Sequence, residues 1–193
     1  MKIYLVRHGK LKWEDNIKKC IGITDIELNL EGIQIAQGNG KVLKDKNISK
    51  IYSSDLKRCE KTAQVISQII EKPYELKEDL REINMGIWEN KSFEYIKEKY
   101  SKDYEKRGEN IDTFKVENGE SFEECYKRAV EILKKLSNEN KDKNIVLVSH
   151  SGIIRCLICY IKKIPLKDIK SIKLDYGEMI TIDYDNEKYK ICK

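Results

Sequence analysis

The sequence contains only two histidines, and they stand at equivalent places. His8 follows the apolar run Lys2–Val6, and His150 follows the apolar run Asn144–Ser149. Runs without polar alternation are typical of strands that are covered on both faces in a parallel sheet. Because ligands of such sheets bind beyond the carboxyl ends of the strands, both imidazoles are predicted to face one crevice. A glycine follows each histidine within two residues and would let the backbone approach a ligand closely.

Two arginines near strand ends indicate that the ligand is a phosphate. Arg7 precedes His8, and Arg58 follows the strand candidate Lys50–Ser53 near the predicted first turn of a helix. Guanidinium forks and the free N–H groups of a helix N-terminus both match phosphate oxygens. Taken alone, each histidine is interpreted as a polar strand end and Arg58 as an exposed helix charge. The combination favours a phosphate pocket.

Strand and helix patterns alternate along the chain, which predicts an α/β fold. Apolar residues recur every three or four positions in amphipathic helices, and several stretches show this spacing. Asn29 is a predicted N-cap, and Ser121 with Glu124 gives a capping-box signal. The predicted elements are strands at 2–6, 50–53, 73–77 and 144–149, helices at 30–43, 59–70 and 122–136, and a closing antiparallel hairpin at 178–183 and 188–192.

This alternation predicts a three-layer α/β/α sandwich around a mostly parallel, doubly wound sheet. The whole chain, 1–193, is expected to form a single domain, in line with its length. The segment of about 85–120 interrupts the rhythm with many charges and several aromatic residues. We expect this segment to be a small helical cap inserted over the crevice.

Composition excludes several classes of function. Of the 193 residues, 37% are charged, and the formal net charge is +5 with basic residues scattered among acidic ones, so no nucleic-acid partner is expected. No stretch reaches the roughly 18 apolar residues of a membrane helix, and the first apolar run is too short for a signal peptide. A cytoplasmic protein is therefore expected. The six cysteines are dispersed, and the pair Cys156 and Cys159 is interpreted as helix packing.

Blocks of distinctive sequence follow one another over roughly residues 1–160. They are Leu5–Gly9, Gly22–Asp25, Tyr52–Arg58, Leu80–Glu82, Gly86–Glu89, Asn118–Ser121 and Val148–Gly152. In content and order they resemble the histidine phosphatase superfamily, also called the phosphoglycerate mutase-like family. A lone Arg-His-Gly triplet would be weak evidence, whereas the ordered set is specific.

The resemblance implies a role for each of five residues. His8 would attack phosphorus and become a phosphohistidine. Arg7, Arg58 and His150 would hold the equatorial oxygens of the phosphoryl group. Glu82 would protonate the leaving alkoxide and then activate water, which implies a mildly acidic to neutral pH optimum. The cationic neighbours are expected to lower the pKa of His8, and neither a metal nor another cofactor is required.

Other classes of function stay open at this stage. One is a zinc or manganese hydrolase, although no partner ligand stands at helical i+4 spacing to either histidine and adjacent arginines would repel a cation. Another is a phosphoester-binding module without turnover. For the phosphatase and for the binding module alike, the expected partner is a small phosphate ester. The protein is expected to be a monomer or a homodimer.

Within the family, the short chain resembles the phosphatase branch more than the longer phosphoglycerate mutases. The blocks around Glu82 and Ser121 are similar to those of α-ribazole phosphatases, so α-ribazole 5′-phosphate is the first specific candidate substrate. Broad-specificity phosphatases of sugar phosphates and nucleotides, and mutase-like enzymes, are the alternatives. Lys10, Leu11 and Glu14 depart from the family pattern after the Arg-His-Gly triplet; Lys10 would add a positive charge near the site, whereas an inward Glu14 would oppose a phosphate.

Overall fold

The computed structural model describes residues 1–13 and 17–192. In this part of the chain a single sheet of six strands has the order β3-β2-β4-β1-β5-β6. The strands are β1 (Lys2–Arg7), β2 (Ile48–Ser53), β3 (Tyr74–Leu76), β4 (Asn144–Ser149), β5 (Met179–Asp185) and β6 (Lys188–Ile191). The α-helices are α1 (Leu30–Leu43), α2 (Lys57–Ile70), α3 (Phe93–Lys99), α4 (Ser101–Glu109), α5 (Phe122–Glu139) and α6 (Ser151–Lys162). Short 3₁₀ helices lie at Glu78–Leu80, Gly86–Trp88 and Leu166–Ser171.

The register of the sheet brings the ends of the two central strands together. Strands β1 and β4 are parallel, with Arg7 opposite Ser149, so the residues that follow them lie side by side. The backbone N–H of His8 donates to the carbonyl of Ser149 at 3.1 Å, which continues the pairing one step beyond β1. The pairing of β2 with β3 and with β4 is also parallel, whereas β5 and β6 add an antiparallel edge.

The two faces of the sheet carry different halves of the core. Leu5 and Leu147 pack with α5 and α6 on one face, while Val6 and Val148 pack with α1 and α2 on the other. Helices on both faces explain why these strands are apolar without alternation. The predicted three-layer sandwich with a mostly parallel sheet is confirmed.

Local sequence signals account for the helix ends. The Asn29 side chain accepts a hydrogen bond from the Gly32 N–H, and α1 has the predicted bounds. The Ser121 hydroxyl and Glu124 carboxylate form the predicted capping box at α5. Several strand bounds differ by one or two residues from the prediction; β2 begins at Ile48 because it continues its pairing with β4 across a bulge.

The segment 85–120 contains α3 and α4. Trp88 lies at the centre of an aromatic cluster, with ring centroids 6.1 to 6.4 Å from those of Phe114, Tyr104 and Tyr100. This cluster packs against the core beside α5 and α6, so most of these aromatic residues hold the segment in place. No helix of the described residues is long and apolar enough to cross a membrane.

Candidate active site

His8 lies at the end of β1 with one ring nitrogen fixed by the backbone. Its Nδ1 is 2.8 Å from the carbonyl oxygen of Gly9. A carbonyl oxygen only accepts, so Nδ1 carries the proton and Nε2 keeps its lone pair. Burial, and then the charges of Arg58 and Arg7, hold the pKa of His8 well below its usual value of 6.5. The predicted direction of this shift is confirmed, but burial is its largest cause.

His150 is buried behind His8, with the two ring centroids 5.2 Å apart. Its Nδ1 accepts a hydrogen bond from Nε of Arg58 at 3.1 Å, so Nε2 carries the proton and donates to the Ser54 hydroxyl at 2.9 Å. Burial and the charge of Arg58 also hold the pKa of His150 well below 6.5. Of the predicted phosphate-binding residues, His150 is hydrogen-bonded to Arg58, and its own role as a phosphate ligand stays a prediction.

Arg58 is fully buried in the first turn of α2. Its Nη1 donates to the carbonyl of Thr24 at 2.7 Å, and its Nη2 donates to the carbonyl of Gly22 at 2.6 Å. Together with the bond to His150, these contacts hold the guanidinium in one orientation. Each terminal nitrogen keeps a second N–H, which is what an incoming phosphate oxygen requires.

Arg7 flanks His8 from the other side. Its guanidinium stacks 4.0 Å above the ring of Tyr176, and its Nη1 donates to the carbonyl of Leu174 at 2.6 Å. Its Nε is buried and has no hydrogen-bond partner in the described part of the chain. A buried donor without a partner is costly, so this atom is available to an anion in the cavity.

Glu82 is held by two backbone amides. Its Oε1 accepts from the N–H of Ile83 at 3.0 Å, and its Oε2 accepts from the N–H of Gly152 at 3.0 Å. A Cβ at Gly152 would lie 2.3 Å from Oε1, so only glycine lets α6 approach the carboxylate this closely. Gly9 likewise serves packing, since a Cβ there would lie 2.3 Å from the carbonyl of Gly32. Both glycines thus allow close packing, against a carboxylate at Gly152 and another backbone at Gly9, and Gly152 also lines the cavity beside His8.

A cavity of about 800 Å³ joins these residues to the segment 85–120. Four of the five predicted site residues line it, and His150 lies behind its wall. Leu11 also lines the cavity, whereas the Lys10 ammonium pairs with Glu31 at 2.5 Å instead of facing the site. Glu14 lies outside the described residues. Further cavity residues that the sequence analysis did not single out are Lys18, Lys19, Arg107, Arg155, Lys170 and Tyr176.

Glu89, at the end of the Gly86–Trp88 turn, fixes the loop that holds Arg58. Its Oε2 accepts from the N–H groups of Gly22 at 3.1 Å and Thr24 at 3.0 Å and from the Thr24 hydroxyl. Its Oε1 accepts from the N–H groups of Ile23 at 2.8 Å and Met85 at 2.9 Å. Since Gly22 and Thr24 present their carbonyls to Arg58, the Glu89 carboxylate positions the guanidinium through this loop.

Glu89→Gln is expected to weaken phosphate binding about tenfold, and this loss should be the same for every leaving group of the ester. Both Glu89 oxygens accept N–H bonds, so an amide nitrogen at either place would face donors and shift the 22–24 loop. Inhibition constants for vanadate and kcat/KM for alkyl and aryl phosphates would measure the effect. Glu27→Gln, the same change on an exposed neighbour, should alter neither value, and an unchanged vanadate constant in Glu89→Gln would contradict the positioning role.

Both histidines are expected to stay neutral from pH 8 down to about pH 6. Because their folded-state pKa values lie below 6.5, the unfolded chain binds more protons under that pH, and the free energy of unfolding decreases as the pH falls. NMR titration of the two imidazole signals and the melting temperature at pH 7.5 and 5.5 would measure both effects. Signals that titrate near pH 6.5 would contradict the buried, neutral state.

Comparisons with known proteins identify the family of this chain. Residues 3–193 match the family model of the histidine phosphatase superfamily (branch 1). The phosphoglycerate mutase-like protein 4 of Arabidopsis thaliana is 35% identical over 81% of this chain and 69% of its own length. The chain spans only 32% of the 6-phosphofructo-2-kinase/fructose-2,6-bisphosphatase of Gallus gallus, at 30% identity over 82% of this chain.

Solved structures show the same fold over nearly the whole chain. YhfR of Bacillus stearothermophilus superimposes with a TM-score of 0.92, 26% identity, and coverage of 98% of this chain and 94% of that one. The α-ribazole phosphatase of Shigella flexneri gives a TM-score of 0.89 at 23% identity, covering 100% of this chain and 95% of its own. The resemblance is therefore confirmed at the level of the family: the chain belongs to the histidine phosphatase superfamily.

Proposed function

We propose that the protein is a phosphomonoesterase that hydrolyses a small phosphate ester through a phosphohistidine on His8. The observation that carries this proposal is the state of the His8 ring. The Gly9 carbonyl holds the proton on Nδ1, and a low pKa keeps Nε2 unprotonated near neutral pH. An imidazole held in this way beside two guanidinium groups is a nucleophile prepared for phosphorus.

In the first step, the lone pair of His8 Nε2 attacks phosphorus as the bond from phosphorus to the ester oxygen breaks. Arg7 and Arg58 stabilise the charge on the equatorial oxygens through their remaining N–H donors. Protonated Glu82 gives its proton to the leaving alkoxide, so the alcohol departs neutral.

In the second step, water attacks the phosphohistidine as the P–N bond breaks. The Glu82 carboxylate takes the proton of the water, which returns it to the acid form for the next cycle. Inorganic phosphate leaves, and His8 regains the lone pair on Nε2. His150 acts from behind the cavity wall, where its bond to Arg58 Nε holds the guanidinium across both steps.

Phosphate release from p-nitrophenyl phosphate and from alkyl phosphates, with and without EDTA, tests this proposal. Hydrolysis that the chelator leaves unchanged is expected, since each step uses only side chains and water. Activity that disappears with EDTA and returns with Zn²⁺ or Mn²⁺ would instead indicate a metal hydrolase. Tight binding of esters without release of phosphate would indicate a binding module.

α-Ribazole 5′-phosphate is the specific substrate that the sequence blocks favour, with sugar phosphates, nucleotides and mutase-like transfer as alternatives. The aromatic residues in the cavity wall support a planar organic group: Trp13, Trp88, Phe93, Tyr104, Phe122 and Tyr176. A substrate panel would decide, because this ester should exceed simple sugar phosphates in kcat/KM. Equal values would remove it as the preferred substrate.

A further inference from the structure

The six arginines of the chain fall into two groups by the partners they have. Outside the cavity, Arg81 pairs with Asp55, and Arg128 pairs with Glu120. No carboxylate of residues 1–13 and 17–192 lies within ion-pair distance of the other four. These four all line the cavity: Arg7, Arg58, Arg107 and Arg155.

The proposed phosphate transfer uses only one end of this cavity. The charges of Arg7 and Arg58 contribute to the lowered pKa of His8. Burial is the main cause of the lowered pKa of Arg7, and the charge of the nearby Arg155 adds to it. One phosphate dianion is matched by the positive groups at that end. The positive charge elsewhere in the cavity therefore has no role in the proposed reaction.

Arg107 belongs to the other end. It lies on α4, its Nη2 contacts the thioether sulfur of Met85 at 3.9 Å, and its guanidinium carbon lies 5.7 Å from the centre of the Phe122 ring. Burial lowers the pKa of Arg107, and the nearby groups that act against this are Cys20 and Tyr104. The Arg107 guanidinium thus contacts Met85 and Phe122, and neither of these holds the reacting phosphate in the proposed function.

Among the described residues, a weak acceptor and an aromatic ring face this half-buried guanidinium, and leaving its donors so poorly satisfied is costly. An anion of the ligand would satisfy its donors and offset this cost. Lys18 lines the same cavity, so the potential there is positive beyond Arg107 itself. Against all these cations, Glu82 is the one carboxylate among the described lining residues, and two backbone amides already hold it.

We propose that the cavity contains a second anion subsite centred on Arg107, and that the substrate is a phosphate ester whose organic part carries a second negative charge. The inference rests on the proposed function, which assigns the first subsite to the reacting phosphate. A cavity of about 800 Å³ has room for both groups. α-Ribazole carries no second negative charge, so this substrate class ranks above it.

Calorimetric binding to the His8→Ala protein, in which turnover is blocked, tests the subsite directly. The probes are ω-phosphooxy carboxylates with one, two or three methylene groups, each compared with its own primary amide. The amide keeps the size and removes the charge. At the chain length that spans the cavity, the carboxylate is expected to bind about tenfold more tightly or better. A second arm compares diol bisphosphates with their monophosphates and shows whether the subsite prefers a phosphate.

When Arg107→Gln is added to the His8→Ala protein, the ratio of the affinities for the carboxylate probe and its amide should fall to about one. Lys106→Gln removes the same charge from an exposed place on α4 and should keep the preference. A preference that persists in Arg107→Gln, or is missing at every chain length and in the bisphosphate arm, would overturn the subsite. The comparison in the His8→Ala parent needs no change at Arg107, so it stays decisive if that variant fails to fold.

The subsite and the proposed function can fail separately. Preferential binding of the charged esters, with no phosphate released by the wild-type protein, would contradict the phosphatase proposal and support the second subsite. Hydrolysis of charged and neutral esters with equal kcat/KM, together with equal binding, would support the phosphatase and contradict the subsite.

Discussion

His8→Ala is expected to lower kcat for p-nitrophenyl phosphate by at least ~10⁴-fold, because no other group can take the nucleophile's place. The only other imidazole, His150, is buried with both nitrogens hydrogen-bonded inside the protein. Rapid alkaline quenching of the wild-type enzyme with radiolabelled substrate should trap about one phosphoryl group per chain. The label should be stable to alkali and labile to acid, as a phosphoramidate is, and absent from His8→Ala.

The control for this variant is phosphate binding, since Arg7 and Arg58 remain in place. Vanadate or phosphate should still bind to His8→Ala within about tenfold of the wild-type affinity, with a matching melting temperature. Residual turnover above about 1% of the wild-type rate, or a label that persists in the variant, would show that phosphorus is attacked by another group.

Short-range patterns in the sequence account for much of the fold. Helix α1 begins at its predicted residue because Asn29 caps it within the same turn, and α5 begins at its capping box for the same reason. The apolar runs of β1 and β4 indicate central strands, and their parallel pairing aligns Arg7 with Ser149. The meeting of His8 and His150 follows from that alignment, since each stands one residue past a strand.

The rest of the site depends on contacts that no local pattern reports. Glu89 accepts from Gly22, which is distant in sequence, and its side chain has the same chemistry as every exposed glutamate of the chain. Arg107 and Arg155 stand among charges on helices, and only the packed fold shows that they face the cavity. Lys10 shows the opposite: it stands next to the site in sequence, but its ammonium forms an ion pair with Glu31 on the surface.

The two ends of the cavity differ in how far they could be predicted from the sequence. The phosphate end is built from residues that follow the central strands directly, and these could be found from spacing and type. The Arg107 end is built by α4, whose place over the crevice depends on the aromatic cluster around Trp88. Specificity is therefore expected to depend on the segment that the sequence pattern describes least.

Glu82→Gln is expected to lower kcat/KM for alkyl phosphates by about 10²- to 10⁴-fold, as when a general acid is lost. An alkoxide is a poor leaving group and needs the proton of Glu82, whereas p-nitrophenolate leaves well without one. The loss for p-nitrophenyl phosphate in the first step should accordingly be below about tenfold. Single-turnover release of the alcohol or phenol measures this step apart from hydrolysis of the phosphohistidine.

The dependence on leaving group is what identifies an acid, because damage to the pocket would slow both esters alike. Such damage is expected in part, since Gln presents N–H to one of the two amides that now donate to Glu82. Gly152→Ala keeps the carboxylate but places a methyl group 2.3 Å from Oε1, so it should displace the acid and give the same dependence on leaving group. Equal losses for alkyl and aryl esters in both variants would assign the proton to another donor.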